Sequence, residues 1–397
     1  MRNIKKWLTL LLVGVMAFST ASLTACNESG NSSERTASQS SDNEQREPII
    51  LKNVTQAKNV ILLIGDGMGP EQIRAGELFK GEKLTMQNFP YMTHVETRSA
   101  SDTVTDSAAA ATAMATGNRT TNGMIGMDAD GNKFETIVDI AHNLGKRTGI
   151  IATEELSGAT PMGFSAHADA RGKTSELLES AATSSNVNLF ASHVITTKYQ
   201  SYFKDEGYEK VALPADISES TSDKIFGSYL IPADYESMTT EGAYVAFDRL
   251  VTEALEYLSK DEDGFFLMAE GSHIDHGGHD NDICYMLEEL IAFDNAVQAV
   301  LEWANDRNDT VVIVTADHET GGLFLDEGVT HEEMKKTYEA NGQSSYYRWQ
   351  TDGHTGVDVN LYINGADIDF SKYSFETKDR IKNTDVFEIM KDLLVAE

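Results

Sequence analysis

The chain has 397 residues, with 63 acidic against 32 basic side chains, a formal net charge of −31 and two cysteines. So acidic a surface excludes nucleic-acid binding, and excludes attraction to anionic lipid through basic patches. One cysteine, Cys26, belongs to an N-terminal segment outside the fold, so the folded part has no internal disulfide, zinc ribbon or cysteine nucleophile. The other, Cys284, lies in the apolar, helix-like run Ile283-Cys284-Tyr285-Met286-Leu287, where buried packing is expected.

In chain order, Arg2, Lys5 and Lys6 precede an apolar run from Trp7 to Phe18 that is too short to span a bilayer comfortably. Leu23-Thr24-Ala25-Cys26 follows and resembles the bacterial lipobox. This predicts a lipoprotein signal over 1–25 and lipidation of Cys26. Residues 26–48 are rich in Ser, Asn, Glu and Gln, and are expected to be a disordered tether. The protein is thus expected to be exported and held at the cell envelope, on a periplasmic or extracellular face, through its N-terminal lipid alone. Firm attachment would need several acyl chains on Cys26. Residues 49–397 are left for one large catalytic domain.

Within that domain, short β-branched runs end at polar clusters. Asn59 to Ile64 runs into Gly65-Asp66-Gly67, and Thr148 to Thr153 into Glu154-Glu155. Phe265 to Ala269 runs into Glu270, and Thr310 to Thr315 into Asp317-His318. Continuous apolar runs of this kind predict strands buried on both faces. Helical patterns at 134–144, 244–258 and 286–304 supply crossovers. The expected fold is α/β, a central and largely parallel sheet flanked by helices on both faces. Ligands then bind at the carboxyl ends of the strands, where each polar cluster lies. Residues 175–235 show no comparable strand series and are expected as an insertion at the sheet edge. Residues 320–353, which carry Tyr346-Tyr347-Arg348-Trp349, are expected as a second excursion near the site.

The chemistry concentrates in Glu270-Gly-Ser-His273-Ile-Asp275-His276-Gly-Gly-His279, two carboxylates and three imidazoles within ten residues. Asp275 and His279, four apart, share a face if a helical turn begins there. Asp66, Asp317, His318 and His354 add further donors at strand ends. Mixed Asp and His ligands suit zinc, whereas carboxylate, hydroxyl and water suit magnesium, so a catalytic metal site is expected. Ser107 opens an Ala-rich helix, where it serves either as an N-cap or as a nucleophile beside an anion site. No Gly-x-Ser-x-Gly elbow is present, so activation by metal is favoured over a serine-hydrolase triad.

Together these motifs resemble the alkaline phosphatase family. The resemblance runs in order from Asn59 to Ile363, through Asp66-Gly-Met-Gly, Thr105-Asp-Ser-Ala-Ala, Ala159-Thr-Pro, Glu270-Gly, Thr315-Ala-Asp-His and His354-Thr-Gly. It implies hydrolysis of small-molecule phosphomonoesters through a phosphoserine at Ser107, with two zinc ions and one magnesium ion. On the matching positions, Asp275, His279 and His354 would hold one zinc, and Asp66, Asp317 and His318 the second. Asp66, Thr160 and Glu270 would hold magnesium. Arg171, eleven residues after Thr160, would clamp two phosphoryl oxygens with its planar fork. The resemblance also makes a homodimer the expected assembly.

Two positions depart from the better-known bacterial members. Gly158 stands where they have Asp, and His276, auxiliary to phosphate and magnesium, stands where they have Lys. Easy loss of magnesium and ready release of phosphate are the expected consequences. His167 and His273 are expected in structural roles. The rival readings are a phosphodiesterase or nucleotide pyrophosphatase of the same superfamily, and a non-catalytic metal- or solute-binding lipoprotein. Ser107 together with Arg171 favours monoesters.

Overall fold

The computed structural model describes residues 47–231, 245–373 and 380–395. The signal, Cys26 and nearly all of the tether lie outside the described residues. The chain opens with β1 (Asn59–Gly65), α1 (Pro70–Lys80), β2 (Tyr91–Glu96), α2 (Ser107–Thr116), α3 (Ile137–Asn143), β3 (Arg147–Glu155) and α4 (Ala159–Ser165). Next come α5 (Thr174–Ser184), β4 (Leu189–His193), α6 (Thr197–Asp205), β5 (Glu209–Val211) and β6 (Ile225–Tyr229). The centre continues with α7 (Phe247–Leu258), β7 (Phe265–Gly271), α8 (His273–His279), α9 (Ile283–Ala304) and β8 (Thr310–Thr315). Two-residue strands β9 (Glu319–Thr320), β10 (Phe324–Leu325), β11 (Tyr347–Arg348) and β12 (His354–Thr355) surround α10 (His331–Glu339). The chain closes with β13 (Val359–Asn364), β14 (Arg380–Lys382) and α11 (Asn383–Leu394).

Ten strands form one sheet in the order β14-β2-β13-β8-β1-β7-β3-β4-β6-β5. Only β13 runs against its neighbours, β8 and β2; every other pairing is parallel. The expected architecture is therefore present, as a mixed and mostly parallel sheet. β1, β7 and β8 are buried at every position, which is why their sequences run apolar without alternation. Each fully buried Val, Leu or Ile there contributes about 1.5–3 kcal/mol of transfer free energy.

Residues 175–235 are less of an insertion than the sequence implied. Through residue 231 they supply β4, β5 and β6, which prolong the parallel sheet at one edge. Residues 232–235 lie outside the described residues. Runs as short as Leu189–His193 carry too little periodicity to be told from helix or loop. Cys284 is half-buried rather than buried, at the start of α9 with its Sγ 3.7 Å from the Tyr338 carbonyl oxygen. Among the described residues no helix is long and apolar enough to cross a membrane.

Candidate active site

The register of the central strands sets three carboxylates side by side. Ile64 of β1 pairs with Glu270 of β7 on one side and Thr315 of β8 on the other. The chain leaving β1 and β8 therefore delivers Asp66 and Asp317 to the same sheet edge as Glu270. Gly67 follows with φ +72°, and a Cβ there would stand 2.7 Å from the Asp275 Cα. Glycine is what lets the Asp66 loop close onto α8. On α8, Asp275 and His279 share a face as expected, with His279 Nε2 3.3 Å from Asp275 Oδ2. The β9–β12 pairing sets His354 opposite Thr320 and folds it over the same cluster.

Hydrogen bonds orient the imidazoles. His354 Nδ1 lies 2.9 Å from the Thr105 carbonyl oxygen, and His279 Nδ1 2.5 Å from that of Asp352. A carbonyl only accepts, so each Nδ1 carries a proton. The two Nε2 atoms face each other at 3.2 Å beside the Asp275 carboxylate. As neutral rings they would oppose lone pair to lone pair. The hydrogen bond to the Asp275 carboxylate instead pulls the His279 pKa up to about 9, so this point draws positive charge. A similar relay fixes His318. The Thr320 hydroxyl donates to Asp275 Oδ1 at 2.5 Å and lies 3.2 Å from His318 Nδ1. With its own proton committed, Thr320 accepts from Nδ1–H. His318 Nε2 then turns its lone pair toward Ser107 Oγ at 3.1 Å, Asp317 Oδ2 at 3.2 Å and Asp66 Oδ1 at 3.5 Å.

Two donor groups converge within ion-binding range: Asp275 with His279 and His354, and Asp66 with Asp275 and His318. Asp275 thus joins both, and Asp317 lies against the second through His318. Several buried oxygens of this edge have no hydrogen-bond partner: Asp66 Oδ1, Asp317 Oδ2, both oxygens of Glu270 and Thr160 Oγ1. Thr160 and Ser272 lie near enough to Glu270 to favour its charged form, yet neither reaches hydrogen-bond geometry. Orphaned buried acceptors are costly unless something positive satisfies them. Burial, reinforced by neighbouring carboxylates, raises Asp66 and Glu270 well above the usual carboxylate range and pushes Asp317 to about 7. Burial would raise Asp275 too, but the His279 hydrogen bond, His318 and Thr320 hold it well below its ordinary value. His318 is held well below its ordinary value by burial and by His354. These donors fit divalent cations, and among the described residues most of them have no other counter-charge.

Ser107 is the first residue of α2, buried and capped by Asp106, whose carboxylate accepts from the Ala109 N–H at 3.0 Å. The other Asp106 oxygen accepts from the Gly123 N–H and from Arg171 Nη1, at 3.0 and 3.3 Å. This draws the half-exposed guanidinium to the end of the helix that carries Ser107. Thr160 opens α4 and is fully buried. His276 lines a cavity with Arg171, His273 and Glu154. His167 is tied to the Phe134 carbonyl oxygen at 3.0 Å, and His273 stands 3.5 Å from Glu289. The site also uses residues that the sequence reading passed over. Thr320 orients both Asp275 and His318. Glu319 accepts from Gln72 Nε2 at 2.7 Å and from the backbone of Gly322 and Leu323, bracing the loop. Both directly follow Asp317-His318, and that adjacency was the one available signal.

A model of the alkaline phosphatase family matches residues 57–203 and 231–328. Alkaline phosphatase 3 of Bacillus subtilis is 33% identical over 297 residues, which cover 69% of this chain and 63% of that protein. The Escherichia coli alkaline phosphatase is 33% identical over 330 residues, covering 66% of this chain and 70% of the relative. The alkaline phosphatase of the Antarctic bacterium TAB5 superposes with a TM-score of 0.71 at 28% identity, over 87% of this chain and 100% of that one. The same TAB5 enzyme has been solved as a mutant with magnesium in a site called M3. The chain spans 63% of the length of two Bacillus subtilis relatives that it matches. A family match over more than half the chain shows that this chain belongs to the alkaline phosphatase family.

Proposed function

We propose that the protein hydrolyses phosphate monoesters, with Ser107 as nucleophile. The observation that carries this is the placement of Ser107 Oγ. It sits at a helix N-terminus, 3.1 Å from His318 Nε2, the ring that lies against Asp66 and Asp317 oxygens left unpartnered in the interior. Asp275, His279 and His354 would hold one zinc, Asp66, Asp317 and His318 the second, and Asp66, Thr160 and Glu270 a magnesium. When bound, such ions supply Lewis-acid charge to phosphoryl and serine oxygens.

The chain's own residues do the rest. The free N–H groups at the start of α2 and the Arg171 fork receive non-bridging phosphoryl oxygens and hold the phosphorus in line with Ser107 Oγ. Ser107 Oγ gives up its proton to solvent and bonds to phosphorus as the ester P–O bond breaks, and the departing alcohol oxygen takes a proton back from solvent. Water then attacks the phosphoserine, the Ser107 Oγ–P bond breaks, and serine and inorganic phosphate are restored. Ser107 and Arg171 favour monoesters because the Arg171 fork takes two terminal oxygens and the N–H groups at the start of α2 receive a third, which a diester lacks. Turnover of 4-nitrophenyl phosphate against the bis-ester tests this directly. Equal or faster turnover of the bis-ester would replace the reading with a phosphodiesterase, and no turnover of either by the metal-loaded protein would remove the enzyme.

Export and lipidation of Cys26 rest on the sequence alone. Fatty-acid labelling of wild type but not of Cys26→Ala is the expected result, and equal labelling of both would end that reading. The homodimer rests on family resemblance and is checked by sedimentation equilibrium.

A further inference from the structure

Gly158 precedes α4 as its N-cap, and the space its side chain would take is filled. A Cβ built there would overlap the carboxylate of Glu154, four residues back at the end of β3. Glu154 faces a cavity of about 370 Å³ that it shares with Arg171, His273 and His276. Its position follows from the sheet. Ala152 pairs with Glu270, and two residues further on the Glu154 N–H donates to Ser272 Oγ at 3.3 Å. Glu270 itself is fully buried, with neither carboxyl oxygen hydrogen-bonded, and Thr160 Oγ1 beside it is likewise buried and unpartnered.

The Glu154 and Glu270 carboxylates and the Thr160 hydroxyl form an all-oxygen set, with Arg171 and His273 also facing Glu154 across its cavity. That set suits a hard cation that keeps part of its water shell. We propose that Glu154, folded into the space left by Gly158, is a carboxylate of the magnesium site that accepts from the ion's water ligands. Gly158 is then the residue that makes room for it, and the site is less deficient in acid than a glycine at this position suggests. This rests on the reading that Thr160 and Glu270 bind magnesium.

The test is magnesium binding to zinc-loaded protein, followed calorimetrically for wild type, Glu154→Gln and Gly158→Ala, with bound zinc and the unfolding midpoint in chelator measured beside it. Glu154→Gln keeps the shape and removes the charge. It should weaken magnesium about tenfold or more, as loss of an outer-shell partner does, while zinc content and the chelated midpoint stay at wild-type values. Gly158→Ala leaves Glu154 in the chain but displaces its carboxylate, so it should weaken magnesium in the same direction. In a Glu154→Ala background, Gly158→Asp should restore binding. Magnesium affinity of Glu154→Gln within about twofold of wild type, far below that usual loss, would overturn the proposal and leave the magnesium site standing. Wild-type protein that takes up zinc but no magnesium would overturn the site itself, and this proposal with it.

Discussion

Ser107 and Thr320 show how differently two hydroxyls act in one cluster. Ser107 Oγ faces His318 Nε2 but donates to none of the carboxylates that would hold metal. Ser107→Ala is therefore expected to lose the acid-trappable phosphoenzyme and nearly all turnover while bound zinc, measured by atomic emission, stays near wild type. A mutant that still traps labelled phosphate would move the nucleophile elsewhere. Thr320 Oγ1 instead joins Asp275 to His318 and sets the tautomer of that ring. Thr320→Val keeps the volume and breaks this relay. It should weaken zinc by about 10- to 100-fold, the usual effect of losing an outer-shell partner, in a competition titration against a chromophoric chelator. Zinc affinity unchanged in that titration would show that the ring is oriented by other contacts. Asp66, Asp275, Asp317 and the three clustered histidines were legible as donors from residue type and strand-end position. Thr320 was not, because a threonine after Asp-His-Glu has no pattern of its own and its role exists only through β9–β12 pairing.

Helix α2 carries Ser107 and is buried at all ten positions, so its placement depends on close packing rather than on an amphipathic face. Small residues allow that approach. A Cβ at Gly163 of α4 would stand 2.6 Å from the Ala111 Cβ of α2. Gly163→Ala should therefore overpack this contact and destabilise by about 1–3 kcal/mol, read from urea unfolding. Because α2 and α4 present Ser107 and Thr160 at their first turns, turnover should fall as well. Full stability in the mutant would show that the two helices separate freely. The Ala-rich run was legible as a helix starting at Ser107, but its cap is Asp106 and not Ser107. The partner of that helix was not legible, since alanines on every side do not say which face meets α4.

Across the molecule, burial of so many carboxylates at one sheet edge makes folding depend on what neutralises them. In the chelated protein, Asp317 titrates at about 7 against an ordinary 3.8, because burial and Asp275 disfavour its charge. Asp66 and Glu270 shift in the same direction. A raised folded pKa means that the native state holds protons the unfolded chain releases. The stability is full below the unfolded value and is lost as pH rises toward about 7. His279, raised to about 9 from 6.5, adds a loss at higher pH. His318, held below its ordinary 6.5, partly offsets this loss up to that pH, whereas the stability from Asp275, whose pKa is lowered, is already complete above its ordinary 3.8. A tenfold difference in proton affinity between the folded and unfolded chain corresponds to about 1.4 kcal/mol, so the chelated protein should lose several kcal/mol between mildly acidic and neutral pH. The metal-loaded protein should lose much less, because cations replace the protons. Calorimetric melting of both forms across that range checks this. A chelated midpoint that rises steadily with pH would mean that the cluster does not sit buried and unpaired. Activity should disappear with chelation and return with zinc, with magnesium adding the remainder.

By itself the sequence determined the kind of chemistry and the class of fold. Buried parallel strands must read as unbroken apolar runs, and their ends must carry the polar groups that a ligand meets. Asp66, Glu270 and Asp317 were therefore legible at three strand ends, as was Ser107 at a helix start. The tertiary structure alone decided which ends are neighbours. The order β8-β1-β7, with Ile64 between Glu270 and Thr315, is a matter of pairing across about 200 residues of separation or more, which local periodicity does not encode. It also decided that residues 175–231 extend the sheet, and that β13 runs against it. Most of all, it decided that the space left by Gly158 holds Glu154. A missing side chain is visible in a sequence, but what moves into its place is settled only by packing.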